Sequence, residues 1–273
     1  MPGRDFYHFS EPHCDEYTPA IKNTSYFSME SPIMTKALIV ITGASSGIGA
    51  AAAKLFSQQG HPLLLLARRI DRLQALDLPD TLCRQVDVTD RAAMLAAVAE
   101  AEARFGPADA IVNNAGVMLL GALARQDPDE WQAMLDVNVK GLLNGIHAVL
   151  AGMQARGRGS IINISSIAGR KTFPSHAAYC GTKFAVHAIS ENLREEVAGS
   201  GVRVITIAPG AVETELLGHT TDEAIKAGYQ EWKQGMGGVL EAQDVAEAIA
   251  YAYGQPQRVC IREIVLAATG QAA

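Results

Sequence analysis

Fully apolar runs of strand length recur along this chain, and between them lie stretches whose apolar residues return at helical spacing. Leu38 to Ile41 is the first run. Ile48, Ala51, Ala52, Leu55 and Phe56 then share one helical face, and Gly60 stands where a helix C-cap belongs. Leu63 to Ala67 and Leu82 to Val86 read as the second and third strands. Met94, Leu95 and Val98 mark a helix that stops at Gly106 and Pro107, and Ala110 to Val112 is the fourth strand. Trp131, Met134, Leu135, Leu142, Ile146, Val149 and Met153 outline one long helix. Ser160 to Ile164, Val202 to Ile207 and Ile261 to Leu266 make seven strands in all. A strand apolar along its whole length must be covered on both faces, and helices between such strands supply the cover. The expected fold is therefore α/β: one doubly wound domain built on a seven-stranded parallel sheet. A closed barrel is the alternative, but it would want eight equivalent units.

The chain has 273 residues, 48% of them hydrophobic and 19% charged, which is enough apolar material for a sizeable core and excludes a disordered protein. Residues 1–36 stand apart. They hold Pro2, Pro12, Pro19 and Pro32 and show no helical or strand period, so they read as a flexible N-terminal extension. They lack the basic start and apolar centre of a signal peptide and are too acidic for a transit peptide. Residues 37–273 form the expected domain, with 214–240 inserted after the sixth strand as a short substrate lid. No apolar run reaches the ~18 residues of a membrane-spanning helix. A net charge of −6 without a Lys/Arg block argues against nucleic acid or anionic membrane as partner. The cysteines, Cys14, Cys83, Cys180 and Cys260, form no CxxC pair, which suits a reducing cytoplasm better than a disulfide framework or a zinc site.

The link between first strand and first helix reads Thr42-Gly43-Ala44-Ser45-Ser46-Gly47-Ile48-Gly49. Glycines at 43, 47 and 49 let the backbone turn tightly and come close to a ligand, and the helix start behind them offers free N–H groups to a pyrophosphate. That placement, strand then glycines then helix, is what a Rossmann dinucleotide site requires. The second strand ends Ala67-Arg68-Arg69, with no acid before Asp71. A ribose with a free 2′-hydroxyl is held there by a carboxylate, whereas guanidinium forks match a 2′-phosphate. Arg68 and Arg69 therefore point to NADP(H) rather than NAD(H).

Tyr179 and Lys183 stand at i, i+4 within a helical stretch from Ala178 to Val197 and so share a face. An ammonium beside a phenol favours the phenolate, which would bring a tyrosine pKa down from ~10 toward working pH for acid–base catalysis. Ser166 follows the fifth strand, whose carboxyl end faces the ligand crevice in a doubly wound sheet, so Ser166 and Tyr179 can meet over one substrate oxygen.

With these motifs in order, the sequence resembles the short-chain dehydrogenases/reductases over about Lys36 to Ala267. The set is Thr42-Gly43-x3-Gly47-x-Gly49, Asp87-Val88, Asn113-Asn114-Ala115-Gly116, Asn138, Ser166, Tyr179-x3-Lys183 and Pro209-Gly210. Gln58-Gln59-Gly60-His61 and Arg68-Arg69 are similar to the 3-hydroxy acid (serine-type) dehydrogenases. Met118 to Gly121, Ser165 to Arg170 and Glu215 to His219 look closer to the clavaldehyde-reductase type. The resemblance implies an NADP(H)-dependent oxidoreductase that interconverts a carbonyl and an alcohol on a small molecule. It implies Tyr179 as proton carrier, Ser166 as donor to the reacting oxygen, and Lys183 on the nicotinamide ribose while depressing the Tyr179 pKa. Asn138, in the kinked long helix, would position a water linking Lys183 to solvent. Ser45, Ser46 and Ile48 would lie with the glycines on the cofactor. Asp87 and Val88 would flank the adenine, and Asn114, Ala115 and Gly116 would support the ribose and the central strand. Pro209, Gly210, Val212 and Thr214 would lie at its carboxamide end. It also implies a homo-oligomer, dimer or tetramer, joined through the long helix and the Tyr179 helix, with Leu142, Val149, Ala185 and Ile189 as apolar outer positions.

Specificity should reside in Val117, Met118 and Leu119, the turn after Ser166, and residues 213–240. Arg170 could grip a substrate carboxylate, with His176 and His219 as further polar contacts. No metal site is expected, since the histidines lack ligand partners at metal spacing. Cys180 reads as a packing residue. A nucleotide-binding regulatory protein of the same fold is the alternative function, but it has no need of the Tyr/Lys pair retained here. An epimerase or dehydratase would call for a longer chain of this family.

Overall fold

The computed structural model describes residues 36–272; the expected N-terminal extension lies outside them apart from Lys36. The chain runs β1 (Leu38–Thr42), α1 (Gly47–Gln58), β2 (Leu63–Ala67), α2 (Ile70–Gln74), β3 (Thr81–Gln85), α3 (Arg91–Phe105) and β4 (Ala108–Asn113). It continues through α4 (Pro128–Leu135), a π-helical turn (Asp136–Lys140), α5 (Gly141–Arg156), β5 (Gly159–Ile164), α6 (Ala177–Glu196) and β6 (Val202–Pro209). A short 3-10 helix (Glu215–His219), α7 (Glu223–Gly235), α8 (Ala242–Tyr253) and β7 (Glu263–Leu266) complete it. The seven strands form one sheet in the order β3-β2-β1-β4-β5-β6-β7, every pair parallel. This is the doubly wound sheet read from the sequence, not the barrel. The strand order reverses between β1 and β4, and ligand crevices open at such a switch point, beyond the strands' carboxyl ends.

The register explains why the strands are apolar throughout. Ile39, Val40 and Ile41 pair with Leu63, Leu64 and Leu65 of β2. Alternate residues then point to opposite faces. Leu38, Val40, Leu64 and Leu66 enter a core shared with α3, α5 and α6, through Met94, Val98, Ile146, Met153 and Val186. Ile39, Ile41, Leu63 and Leu65 enter a second core with α1 and α8, through Phe56, Val245 and Ile249. Each fully buried side chain of this size contributes roughly 1.5–3 kcal/mol of transfer free energy, so the sheet is held firmly from both sides.

Several bounds differ from the sequence reading: β7 begins at Glu263 rather than Ile261, β6 runs on to Pro209, and β4 spans Ala108–Asn113. β3 lies one residue earlier than the expected Leu82 to Val86. The long helix is interrupted: Gly141 N–H donates to the Asp136 carbonyl, five residues back, so Asp136–Lys140 makes one wide turn. The resemblance implied a kink in this helix at Asn138, and the wide turn is that kink; the apolar spacing on either side remains helical.

Candidate active site

Glycine geometry builds the first wall. Gly43 has φ +65°, and a Cβ there would lie 2.8 Å from Ala115 Cα. A Cβ on Gly49 would stand 2.5 Å from the Gly43 carbonyl oxygen and 2.6 Å from Asn114 Nδ2. Asn114 ties the ends of β1 and β4 together, donating from Nδ2 to the Thr42 carbonyl at 3.0 Å and to the Gly43 carbonyl at 3.2 Å. Ser46 at the head of α1 makes no side-chain cap bond, and the first turn holds no acidic residue. The free N–H groups and the positive end of the helix dipole are thus left for an anion. A bare backbone cradle opening on such a helix start fits a dinucleotide pyrophosphate.

That cradle is one end of a cleft of about 710 Å³. All the expected cofactor positions line it: Gly43, Ser45, Ser46, Gly47, Ile48, Arg68, Arg69, Asp87, Val88, Asn114, Ala115, Gly116, Pro209, Gly210, Val212 and Thr214, with Gly49 just behind. Asp87 Oδ1 accepts from the Thr89 N–H at 2.9 Å and hydroxyl at 2.8 Å, which fixes the carboxylate beside Val88. Arg69 Nη2 donates to the hydroxyls of Ser45 at 3.2 Å and Ser46 at 3.0 Å.

At the other end, α6 delivers Tyr179 and Lys183. Ser175, with left-handed φ 62°, turns the chain into that helix. Tyr179 and Lys183 are both buried, and Ser166 caps the turn after β5 by accepting from the Ala168 N–H at 3.1 Å. Lys183 Nζ donates to the Ile164 carbonyl at 3.0 Å and lies 5.8 Å from the Tyr179 ring centroid. Lys183 is not among the groups that shift the Tyr179 phenol. Burial pushes Tyr179 well above its ordinary value, Tyr229 adds to that, and the Ser166 hydroxyl only partly offsets it. Lys183 is itself lowered from 10.5 to about 8 by burial.

Asn138 does not line the cleft directly. It is buried behind it, donating to the Val117 carbonyl at 2.9 Å and Thr182 Oγ1 at 3.1 Å, and accepting from the Val117 N–H at 2.8 Å. The π-turn carries it there, beneath the backbone at Gly116 and beside Lys183.

Other expectations fail. Arg170 faces away from the cleft and pairs with Glu263 at 2.6 Å. Leu142 and Val149 are buried in their own core, and the exposed apolar residues of this region are Leu135, Leu143 and Phe184. His176 does line the cleft, with burial pushing its pKa down, and His219 stands near the arginines. Among the described residues no cluster of His, Cys, Asp or Glu could hold a metal, and no helix is long and apolar enough to cross a membrane.

Gln271 was not singled out by the sequence, and within the expected specificity segment 213–240 the structure picks out Thr220, Tyr229 and Trp232. Gln271, beyond β7, accepts from the Ala211 N–H at 3.0 Å and so braces the backbone beside Gly210. Thr220 pins the lid to the loop after β4, accepting from Leu120 N–H and donating to the Met118 carbonyl, each at 3.2 Å. Tyr229 and Trp232 of α7 present rings to the cleft, 5.1 Å apart by centroid. Only their helical spacing, i and i+3, hinted that they share a face.

The comparisons with known proteins agree with this geometry. The family model described as short chain dehydrogenase matches residues 37–224. An uncharacterized oxidoreductase of Staphylococcus saprophyticus is 40% identical over 240 residues, 86% of this chain and 96% of the relative. The closed form of serine dehydrogenase complexed with NADP+ superposes with a TM-score of 0.81 at 33% identity, covering 86% of this chain and 96% of that one. An alcohol dehydrogenase from the archaeon Thermococcus sibiricus, complexed with 5-hydroxy-NADP, gives 0.77 at 27% identity over 87% and 99%. The chain belongs to the short-chain dehydrogenase family and is an oxidoreductase of that family.

Proposed function

We propose that this oxidoreductase uses NADP(H) to interconvert a carbonyl and an alcohol on a small molecule, with Tyr179 as acid/base. The observation that carries the reading is one cleft holding a bare glycine cradle and two arginines at one end, and Tyr179, Ser166 and Lys183 at the other. The NADP-bound relatives support the choice of cofactor. When bound, NADP(H) supplies or accepts the hydride. Gly43, Gly47 and Gly49 with the α1 N-terminus hold its pyrophosphate, Arg68 and Arg69 its 2′-phosphate, and Asp87 and Val88 its adenine. Asn114, Ala115 and Gly116 support the ribose, which Lys183 grips, and Pro209, Gly210, Val212 and Thr214 border the carboxamide.

Tyr179 does the proton chemistry. Burial keeps its phenol protonated, so it stands ready to donate to a carbonyl oxygen. The Ser166 hydroxyl donates to the same oxygen and stabilises charge growing on it. Asn138 acts as a brace, holding the loop at Val117 against α6.

Residues 37–273 are the working domain and 214–240 its substrate lid. The far wall is apolar, from Met118, Phe173, Leu217, Ile225, Tyr229 and Trp232. With Arg170 engaged elsewhere, that wall suits an uncharged aldehyde or ketone better than a 3-hydroxy acid. The free thiols Cys83, Cys180 and Cys260 suit a reducing compartment such as the cytoplasm. A panel of aldehydes, ketones and 3-hydroxy acids, followed by NADPH absorbance, tests the reading. Consumption of NADPH with neutral carbonyls is expected. Tight NADPH binding with no turnover on any member would favour the regulatory alternative.

A further inference from the structure

A carboxylate from the lid already engages Arg69, one of the two arginines assigned to the cofactor phosphate, together with Arg72. Glu215 Oε2 accepts from Arg69 Nη1 at 3.0 Å, and both its oxygens accept from Arg72 Nη1, at 2.7 and 3.0 Å. Arg69 spends its other amino group on Ser45 and Ser46. Two guanidinium groups thus meet on one carboxylate at the cleft mouth, and Arg69 links it to the two serine hydroxyls, an arrangement that suits an anion with several oxygens. We propose that Glu215 is an internal competitor for the cofactor's 2′-phosphate and a residue that sets the balance between NADP(H) and NAD(H). This rests on the NADP(H) reading above.

Charge and chain geometry both support it. Arg69 and Arg72 hold the Glu215 carboxyl below the usual carboxylate range, so the competitor is anionic at neutral pH. Arg68 lines the same mouth and makes no ion pair among the described residues, so three guanidinium groups stand against two carboxylates, Glu215 and Asp87. The region therefore retains a positive surplus that a phosphate dianion would satisfy. A phosphate arriving at Arg69 must displace Glu215 or sit beside it, and like charges at that distance repel. Glu215 opens the 3-10 helix that begins the lid, so its displacement frees 215–219 from the end of β2. Phosphate recognition and lid position are then linked through one side chain.

The opposite role has an opposite signature. A carboxylate in this place could accept hydrogen bonds from the free ribose hydroxyls of NAD(H), and removing it would then weaken NADH. The test is Glu215→Gln, with dissociation constants for NADPH and NADH from nucleotide fluorescence and cleavage of the lid followed by limited proteolysis. The variant is expected to bind NADPH roughly two- to fivefold more tightly, the scale of one exposed charge pair, with NADH changed less than about 1.5-fold. Its lid should be cut faster without cofactor. An unchanged or weaker NADPH affinity overturns the proposal, as does a weaker NADH affinity. A wild-type preference for NADH, with Glu215→Gln still gaining NADPH affinity, would overturn the cofactor reading and leave this one standing.

Discussion

Tyr179 and Lys183 share a dry pocket, and dehydration acts on them in opposite senses. It holds the tyrosine in its neutral acid form and loosens the proton on the lysine. Tyr179→Phe removes the proton carrier and keeps the ring, so turnover should fall ~10²–10⁴-fold while the NADPH dissociation constant stays near wild type. Retention of more than about a tenth of the rate would rule out the acid–base role. Ser166→Ala should raise the barrier by about 2.7–4 kcal/mol, read from kcat, by deleting one donor to the reacting oxygen. Lys183 makes a stability prediction. Its folded pKa, about 8, lies below the ordinary 10.5, so the folded protein holds fewer protons between those values and gains stability as pH rises through them. Lys183→Met should therefore be more stable than wild type by about 1–3 kcal/mol below pH 8, an advantage that fades by about pH 10.5. Denaturant midpoints across that range check it, and an advantage independent of pH would show that Lys183 is not a strained charge. The same variant should lose both rate and cofactor affinity.

Among the elements, strands were the most legible. Leu63 to Ala67 is apolar at every position because both faces of β2 are covered, and its bounds in the structure match those read from the sequence. β3 slipped by a residue because Thr81 and Gln85, at the sheet edge, are not distinguished by hydrophobicity. Gly43, Gly47, Asn114, Ser166 and Tyr179 were legible for a similar reason: each sits at a strand end or helix start, where local pattern fixes its neighbours. Gln271, Thr220 and the Arg69–Glu215 pair were not, since each depends on chain segments far apart in sequence coming together in the fold. The same long-range approach makes a prediction at α5. A Cβ on Gly145 would collide with Asn113 Oδ1, a buried atom on β4. Gly145→Ala should destabilise by about 1–3 kcal/mol despite alanine's better helix propensity, measured by thermal or denaturant unfolding. A stabilised variant would mean that α5 and β4 are less tightly apposed.

For the whole molecule, Leu135, Leu143 and Phe184, 49%, 45% and 43% exposed, put apolar surface on α4, α5 and α6, the interrupted long helix and the Tyr179 helix. We propose a homo-oligomer, a tetramer or dimer, joined there. Light scattering at micromolar concentration should return a multiple of 29.0 kDa, and Phe184→Asp should lower it. A wild-type protein of monomer mass would contradict this. The wide turn at Asp136–Lys140 bears on inheritance. Lengthening or shortening it by one residue would rotate everything after it by about 100°, swinging Leu142, Ile146 and Val149 off the sheet while also dislodging Asn138. Descendants of this gene can exchange residues around Asn138 in that stretch more readily than they can change its length, since an in-frame codon gained or lost there disturbs fold and site together.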